Sequence, residues 1–228
     1  MRILYLIPAR EGSKGIPNKN IKKLNGKPLI HYALDVALEL ADKKDICVST
    51  DSNKIKKISE EYGLEVPFLR PKELANDYSG MYEVLLHSLN YYRKNNQFYD
   101  VLVLLQPTSP LRKSFHVNQA IDLFSFNIDM VVSVKETKSN PYYTLYEEDE
   151  EGFIHKSKNG NYDRRQDCPK VWEFNGAIYV MNIKSLENKA PHQFSTIKKY
   201  VMNETDSIDI DTELDFKMAE IILNMKHP

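Results

Sequence analysis

With 228 residues, 42% hydrophobic and 28% charged, the chain has the makeup of a globular protein and is too apolar to be disordered. A formal net charge of −1 gives no general reason to expect nucleic acid as a partner, so any attraction for anions must come from local clustering. No apolar run nears the roughly 20 residues that cross a bilayer, and Met1-Arg2 leads straight into a strand-like run, so one domain over 1–228, cytoplasmic and without membrane or nucleic-acid partners, is expected.

The apolar run at 3–7 reads as a fully buried strand of a parallel sheet. The loop behind it, residues 8–20, carries Arg10, Lys14 and Lys19 among Gly12, Ser13 and Gly15. Cations on a freely bending backbone suit a polyphosphate, because amide N–H groups can approach its oxygens while the cations supply charge. The spacing is neither Walker A nor G-x-G-x-x-G, and a solvated basic loop fits the local pattern equally well. Leu29, Ile30, Ala33, Leu34, Ala37 and Leu38 then recur at helical spacing. A second strand at 46–48 ends in Ser49-Thr50-Asp51, and Ile55, Ile58 and Tyr62 mark a helix that Gly63 can stop. Phe68-Leu69-Arg70-Pro71 puts Arg70 at the end of a short strand, where a guanidinium can stack on a base or pair with anions.

Val84, Leu85, Leu89 and Tyr92 predict another helix, 101–105 a third buried strand, 117–124 a helix and 130–134 a fourth strand. Strands alternating with helices imply an α/β fold: a mainly parallel twisted sheet with helices on both faces. Ligands of such sheets sit at the carboxyl ends of the strands, which gathers the basic loop, Asp51 and the loop starting at Gln106 on one rim. Residues 139–175 break the pattern and read as an insertion. In it, Asn159-Gly160 predicts a hairpin turn, the acidic run 147–151 a solvated loop, and Tyr142, Tyr143, Phe153, Tyr162 and Trp172 a contact with a second subunit in a C2 homodimer. The alternation returns at 176–180, and Leu214, Met218, Ile221, Ile222 and Met225 mark a last helix.

Asp209 and Asp211 precede that helix. In extended chain, residues two apart project to one side, so both carboxylates can face one point while Ile208 and Ile210 face the core. Paired carboxylates opposite a basic loop suit Mg2+-nucleotide chemistry; capping of the helix by Asp211 is the other reading, and the two are compatible. Gln106, at a strand end before a proline-stiffened turn, can read a hydroxyl or carboxylate through its amide, or the turn can serve as a rigid connection. Cys47, Cys168 and the six histidines show no metal-ligand or nucleophile spacing, and His31 and His87 read as structural.

The strings IPAREGSKGIPNKNI (7–21), STDS (49–52), PFLRPKELAND (67–77), LLQPTSPLR (104–112), RRQ (164–166), NGAIYV (175–180) and DSIDIDTELD (206–215) occur in this order over nearly the whole chain. Together they resemble the acylneuraminate cytidylyltransferase family, which activates nonulosonic acids as CMP-sugars. The resemblance implies a nucleotidyltransferase domain that takes CTP and a nonulosonic acid, requires Mg2+ and forms a homodimer whose inserted segment reaches the partner's active site. It implies that Ala9, Arg10, Ser13, Asn20, Arg70 and Ser79 bind the nucleotide and that Arg10, Lys14, Lys19 and Asp211 serve catalysis. It also implies that Gln106, Arg165, Asn175 and Tyr179 meet the sugar, Arg165 across the dimer, and that Asp209 and Asp211 hold the metal. The reaction implied is in-line attack of the sugar's anomeric hydroxyl on the α-phosphorus, with Arg10 and Lys14 neutralising the departing pyrophosphate.

Two departures bear on the substrate. Asn140-Pro141-Tyr142-Tyr143 lacks a Lys found in some N-acetylneuraminate enzymes, and Lys156-Ser157-Lys158 with Arg165-Gln166 looks closer to enzymes of legionaminic acid. Tyr78-Ser79-Gly80-Met81 lacks the family's usual Ser/Thr cluster. Pseudaminic acid or the eight-carbon acid Kdo on the same fold, and a nucleotide-binding regulator without catalysis, are the alternatives.

Overall fold

The computed structural model describes residues 1–13, 15–75 and 80–226, the last of them by backbone alone. Its main sheet has six strands: β1 (Ile3–Pro8), β4 (Ile46–Ser49), β5 (Val101–Leu104), β6 (Met130–Glu136), β9 (Trp172–Asn182) and β10 (Ile197–Val201), in the order β10-β6-β9-β5-β1-β4. β1 pairs in parallel with β4 and β5, and β6 with β10; β9 alone runs against its neighbours β5 and β6. The runs read as buried strands are buried on both faces because alternate residues feed opposite cores. Tyr5 and Ile7 of β1 join one core and Leu4 and Leu6 the other, as Val103 and Leu102 do in β5.

Helices α1 (Leu29–Leu40), α2 (Asn53–Glu61) and α4 (Ser114–Asp122) cover the first face, through Ala33, Leu34, Ile55 and Val117 among others. Helices α3 (Met81–Lys94) and α5 (Ile183–Asn188) cover the second, through Leu85, Leu89, Ile183 and Leu186. α2 starts where Ser52 Oγ accepts from Ile55 N and ends before Gly63, whose φ of 92° is the left-handed geometry of a helix stop. A short hairpin, β2 (Lys23–Leu24) and β3 (Lys27–Pro28), turns on Asn25-Gly26, both with positive φ. The last helix, α6 (Glu213–Lys226), packs through Phe216, Ala219 and Leu223 on Ile16, Leu24 and Leu29. The periodic set Leu214, Met218, Ile221 and Met225 faces solvent instead.

Besides the β2–β3 hairpin, α5 and β10 have no counterpart in the sequence reading. α5 is short, and β10 is an exposed edge strand whose Lys198 and Lys199 hide its period. Both hang on Asp129, just before β6, whose carboxylate accepts from Ser185 Oγ (2.7 Å), Lys189 Nζ (2.9 Å), Ser195 N (3.0 Å) and Thr196 N (3.1 Å). Burial acts to raise its pKa, but these hydrogen bonds outweigh that and leave it well below the usual carboxylate range.

The insertion differs from expectation in two ways. Trp172–Phe174 belong to β9, pairing with β6 from Val134 to Glu136, so only residues 137–171 leave the sheet. Trp172 accordingly packs on the core, with Lys199 Nζ 4.9 Å from its ring centroid. The hairpin of the insertion, β7 (Tyr146–Glu148) with β8 (Ile154–Lys156), does not turn at Asn159-Gly160. It turns within the acidic run, where Asp149 Oδ1 accepts from Glu151 N and Phe153 N and Gly152 has φ 85°. The side-chain turn of Asp149 together with a left-handed glycine supplies the reversal there.

Candidate active site

A cleft of about 570 Å³ opens at the carboxyl ends of β1, β4 and β5. One wall is the basic loop. Ala9 is fully buried in the core and its N–H donates to Ser49 O, so its side chain is no part of the cleft wall. Arg10, Ser13 and Gly15 line the cleft. Asp51 holds the loop by accepting from Glu11 N at 3.0 Å, and Asn20, also on the wall, holds it by donating to Arg10 O at 2.9 Å. Lys14 and Ser79 lie outside the described residues.

The carboxylates stand beside the far end of this loop. Ile210 is buried and its N–H donates to Thr108 O at 2.8 Å, which fixes the segment in extended form and leaves Asp209 and Asp211 both on the cleft wall. The helix cap falls elsewhere. Thr212 Oγ1 accepts from Asp215 N, and the Asp215 carboxylate accepts from the N–H groups of Asp211 and Thr212, a reciprocal capping box. Asp211 is thereby exempt from capping and pairs with Lys19, whose Nζ lies 3.0 Å from its Oδ1 and also donates to Ile210 O at 2.5 Å. Burial raises the pKa of Asp209, and Asp211 and Asp215 add to the rise; the Thr108 hydroxyl and Lys19 oppose it. Thr108 makes no hydrogen bond of ordinary geometry to it, and Asp209 Oδ1 is buried without a partner.

Two glycines allow this closeness. A Cβ on Gly15 would stand 2.1 Å from Asp211 O, and one on Gly176, at φ 72°, would stand 2.6 Å from Asp209 Oδ2. Gly176 belongs to a bulge in β9, where 175–178 stand opposite Ser133. A glycine inside a strand pattern signals such a close approach, and that is how Gly176 could have been found.

Arg70 lies on the wall, buried, its guanidinium donating through Nε to Ser49 Oγ (3.1 Å), through Nη2 to Ser49 O and through Nη1 to Leu74 O (3.5 Å). Burial lowers its pKa, Arg10 adds to this and Asp51 opposes it. Gln106 lines the cleft beside Pro107 and Thr108. Its carbonyl accepts from Arg112, which is buried, also donates to Ala177 O at 2.8 Å and has its pKa lowered to about 9 by burial alone. Arg112 thus ties the Gln106 turn to the β9 bulge, a role the motif did not reveal.

Three expected sugar-binding residues are not on the wall of this chain's cleft. Asn175 is buried, its amide taken by Ser133 Oγ (2.6 Å), Ser207 Oγ (2.9 Å) and Met202 Sδ (3.4 Å), so it organises the bulge instead. Tyr179 is half-buried; burial, then Asp209, pushes its phenol up. Arg165 is exposed on the insertion, its side chain without an ion pair or hydrogen bond among the described residues. His31 stacks on Tyr62 and His87 meets Phe68 edge-on, both pKa values lowered by burial first.

Among the described residues no group of three or more His, Cys, Asp or Glu side chains is placed to hold a metal. The Asp209–Asp211 pair nevertheless suits a hard divalent cation: two carboxylates, one with a buried oxygen lacking any partner, facing a cleft where phosphate oxygens can supply the other ligands.

A basic loop and a carboxylate pair lining one cleft at the carboxyl rim of such a sheet are the layout of a nucleotidyltransferase. The solved structure of CMP:2-keto-3-deoxy-manno-octonic acid synthetase complexed with CTP has the same fold, with a TM-score of 0.72 at 15% identity, covering 99% of this chain and 100% of that one. The chain belongs to the cytidylyltransferase family, whose model matches residues 4–224. It is 39% identical to an N-acylneuraminate cytidylyltransferase of Streptococcus agalactiae, over 95% of this chain and 52% of that protein. It is 36% identical to a CMP-N,N'-diacetyllegionaminic acid synthase of Campylobacter jejuni, over 99% of this chain and 96% of that protein. The chain thus spans about half the length of the streptococcal relative, at 52%, and nearly all of the other, at 96%.

Proposed function

We propose that this chain transfers the cytidylyl group of CTP to a nine-carbon nonulosonic acid, legionaminic or N-acetylneuraminic, forming the CMP-sugar and pyrophosphate. The observation that carries this is the carboxylate pair and the Arg10 loop lining one cleft of about 570 Å³. Arg10, with Lys14 of the same loop, neutralises the pyrophosphate as it leaves, and the loop's amide groups hold its oxygens. Lys19 and Arg70 add positive charge from the wall, and Gln106, which lines the same cleft, carries an amide suited to reading the sugar. Asp209 and Asp211 would hold Mg2+, which supplies charge neutralisation and Lewis-acid chemistry at the phosphates.

The working form in this reading is a C2 homodimer. Phe153, Ile154 and Tyr146 are exposed on the insertion's hairpin, as a subunit contact requires, and the free Arg165 suits a cation that serves the partner's site. Two free cysteines suit a reducing cytoplasm, and no helix among the described residues is long and apolar enough to cross a membrane.

Pyrophosphate release tests the reading, with CTP against N-acetylneuraminate, legionaminate, pseudaminate and Kdo, with and without Mg2+. Mg2+-dependent turnover of CTP with a nine-carbon acid is expected. No turnover with any acid would overturn the assignment and favour a nucleotide-binding regulator.

A further inference from the structure

The ladder between β5 and β9 stops just before the cleft. Its last pair is Leu104 with Tyr179, and the same register would set Gln106 against Ala177. Leu105 N donates to Leu6 O of β1, so Gln106, the next residue, turns its main-chain groups toward β9, as a hydrogen-bonded pair requires. That pair does not form. Ala177 N donates instead to Asn175 Oδ1 at 3.2 Å, and the two carbonyls meet one nitrogen of Arg112. Its Nη1 donates to Gln106 O at 3.1 Å and to Ala177 O at 2.8 Å. A guanidinium thus stands where backbone hydrogen bonds would close the two strands.

Such a residue is costly in this place. Arg112 is 3% exposed, and its Nε and Nη2 are buried without a partner. Among the described residues no carboxylate balances it, burial being the one influence on its pKa. Joining β5 to β9 needs only the ordinary pair; what the guanidinium adds is separation. The carbonyls it holds belong to two parts of the site. Gln106 lines the cleft, and Ala177 follows Gly176, which packs on Asp209.

We propose that Arg112 is a positioning residue: wedged between β5 and β9, it sets the distance from Gln106 to the Gly176–Asp209 contact, and so aligns the sugar's hydroxyl with the carboxylate pair. This rests on the cytidylyl-transfer reading, with Gln106 as the group that meets the sugar. Arg112 is not on the cleft wall and acts only through the two chains it spreads. The nucleotide side hangs on other main chain, Arg70 on Ser49 and Leu74, and keeps its place when Arg112 is changed.

Steady-state pyrophosphate release by the full chain, with CTP and the acid that wild type uses, tests this. Arg112→Met fills the space without the wedge, and Arg112→Lys keeps a charge without the planar fork. Each is expected to lose about a hundredfold in kcat with KM for CTP within about threefold, the effect of a shift near 1 Å in a reacting constellation. A role in folding alone would lower the melting temperature and leave kcat per folded molecule as it was. In Arg112→Ala, guanidinium ion at a non-denaturing concentration should restore kcat by about tenfold or more, and ammonium should not. The Met and Lys variants decide the matter should Arg112→Ala misfold. A kcat within about threefold of wild type in Arg112→Met would overturn the proposal. So would full activity in Arg112→Lys, or equal rescue by ammonium, since charge and not spacing would then be the requirement. An inactive wild type would instead overturn the cytidylyl-transfer reading, and this proposal with it.

Discussion

Replacing Gly176 with Ala separates the two demands placed on this residue. Backbone at φ 72° is strained for an L side chain, which costs about 1–2 kcal/mol. For a chain of 228 residues that is a fall of about 2–8 °C in melting temperature. The new Cβ would also stand 2.6 Å from Asp209 Oδ2, where ordinary contact starts at 3.4 Å, so the carboxylate must retreat by about 0.8 Å. It stands against the β9 bulge, and a displacement near 1 Å in a reacting constellation costs about a hundredfold in rate. Gly26→Ala is the control: its φ is 76° but nothing lies within 4 Å of the new Cβ. Both variants should melt lower by similar amounts, and only Gly176→Ala should lose kcat/KM for CTP, with a weaker response to Mg2+. If Gly176→Ala keeps kcat/KM within about twofold while melting like Gly26→Ala, the packing of Gly176 on Asp209 has no part in catalysis.

Other substitutions probe the rest of the site and its support. Asp211→Asn should cut turnover by about a hundredfold or more and raise the Mg2+ requirement, yet leave the melting temperature nearly unchanged, because Thr212 and Asp215 cap α6 without it. A normal Mg2+ response in that variant would remove Asp211 from the metal site. Mixing Arg165→Ala subunits with Asp211→Ala subunits should restore activity through heterodimers holding one intact site; shown subunit exchange without recovery would mean that Arg165 does not act across the interface. Asp129→Asn should cost about 3 kcal/mol in urea unfolding at neutral pH, through the loss of charge-assisted hydrogen bonds. Since the folded pKa of Asp129 lies below its ordinary 3.8, its contribution is complete above that value and fades as pH falls through the folded pKa, so the gap between wild type and variant should narrow in acid. A gap that is constant with pH would refute the charge argument.

The central strands were legible because a strand buried on both faces has to be apolar throughout, as 3–7 and 101–105 are. The cleft was legible to the extent that strand ends gather loops on one rim, which brought the Arg10 loop, Arg70 and Gln106 together. What escaped was settled by tertiary partners. β10 reads as polar because it is an edge strand, and Asp149 turns the hairpin because its carboxylate found two local N–H groups. Asn175 carries a side chain able to meet a sugar, but Ser133 and Ser207 had already claimed its amide. The stripe of α6 marked a helix correctly without revealing which way it faced, since periodicity reports an apolar side and not its occupant.

The lone reversed strand has a consequence for how this fold can change. β6 ends at the cleft's rim and, because β9 runs backwards, β9 begins there, so residues 137–171 are rooted at both ends beside the cleft. Everything between those roots can be lengthened, trimmed or exchanged without altering strand order or touching the Asp209–Asp211 segment. Novelty in the arm is delivered to the mouth of the site, while the sheet that holds the chemistry stays as it is.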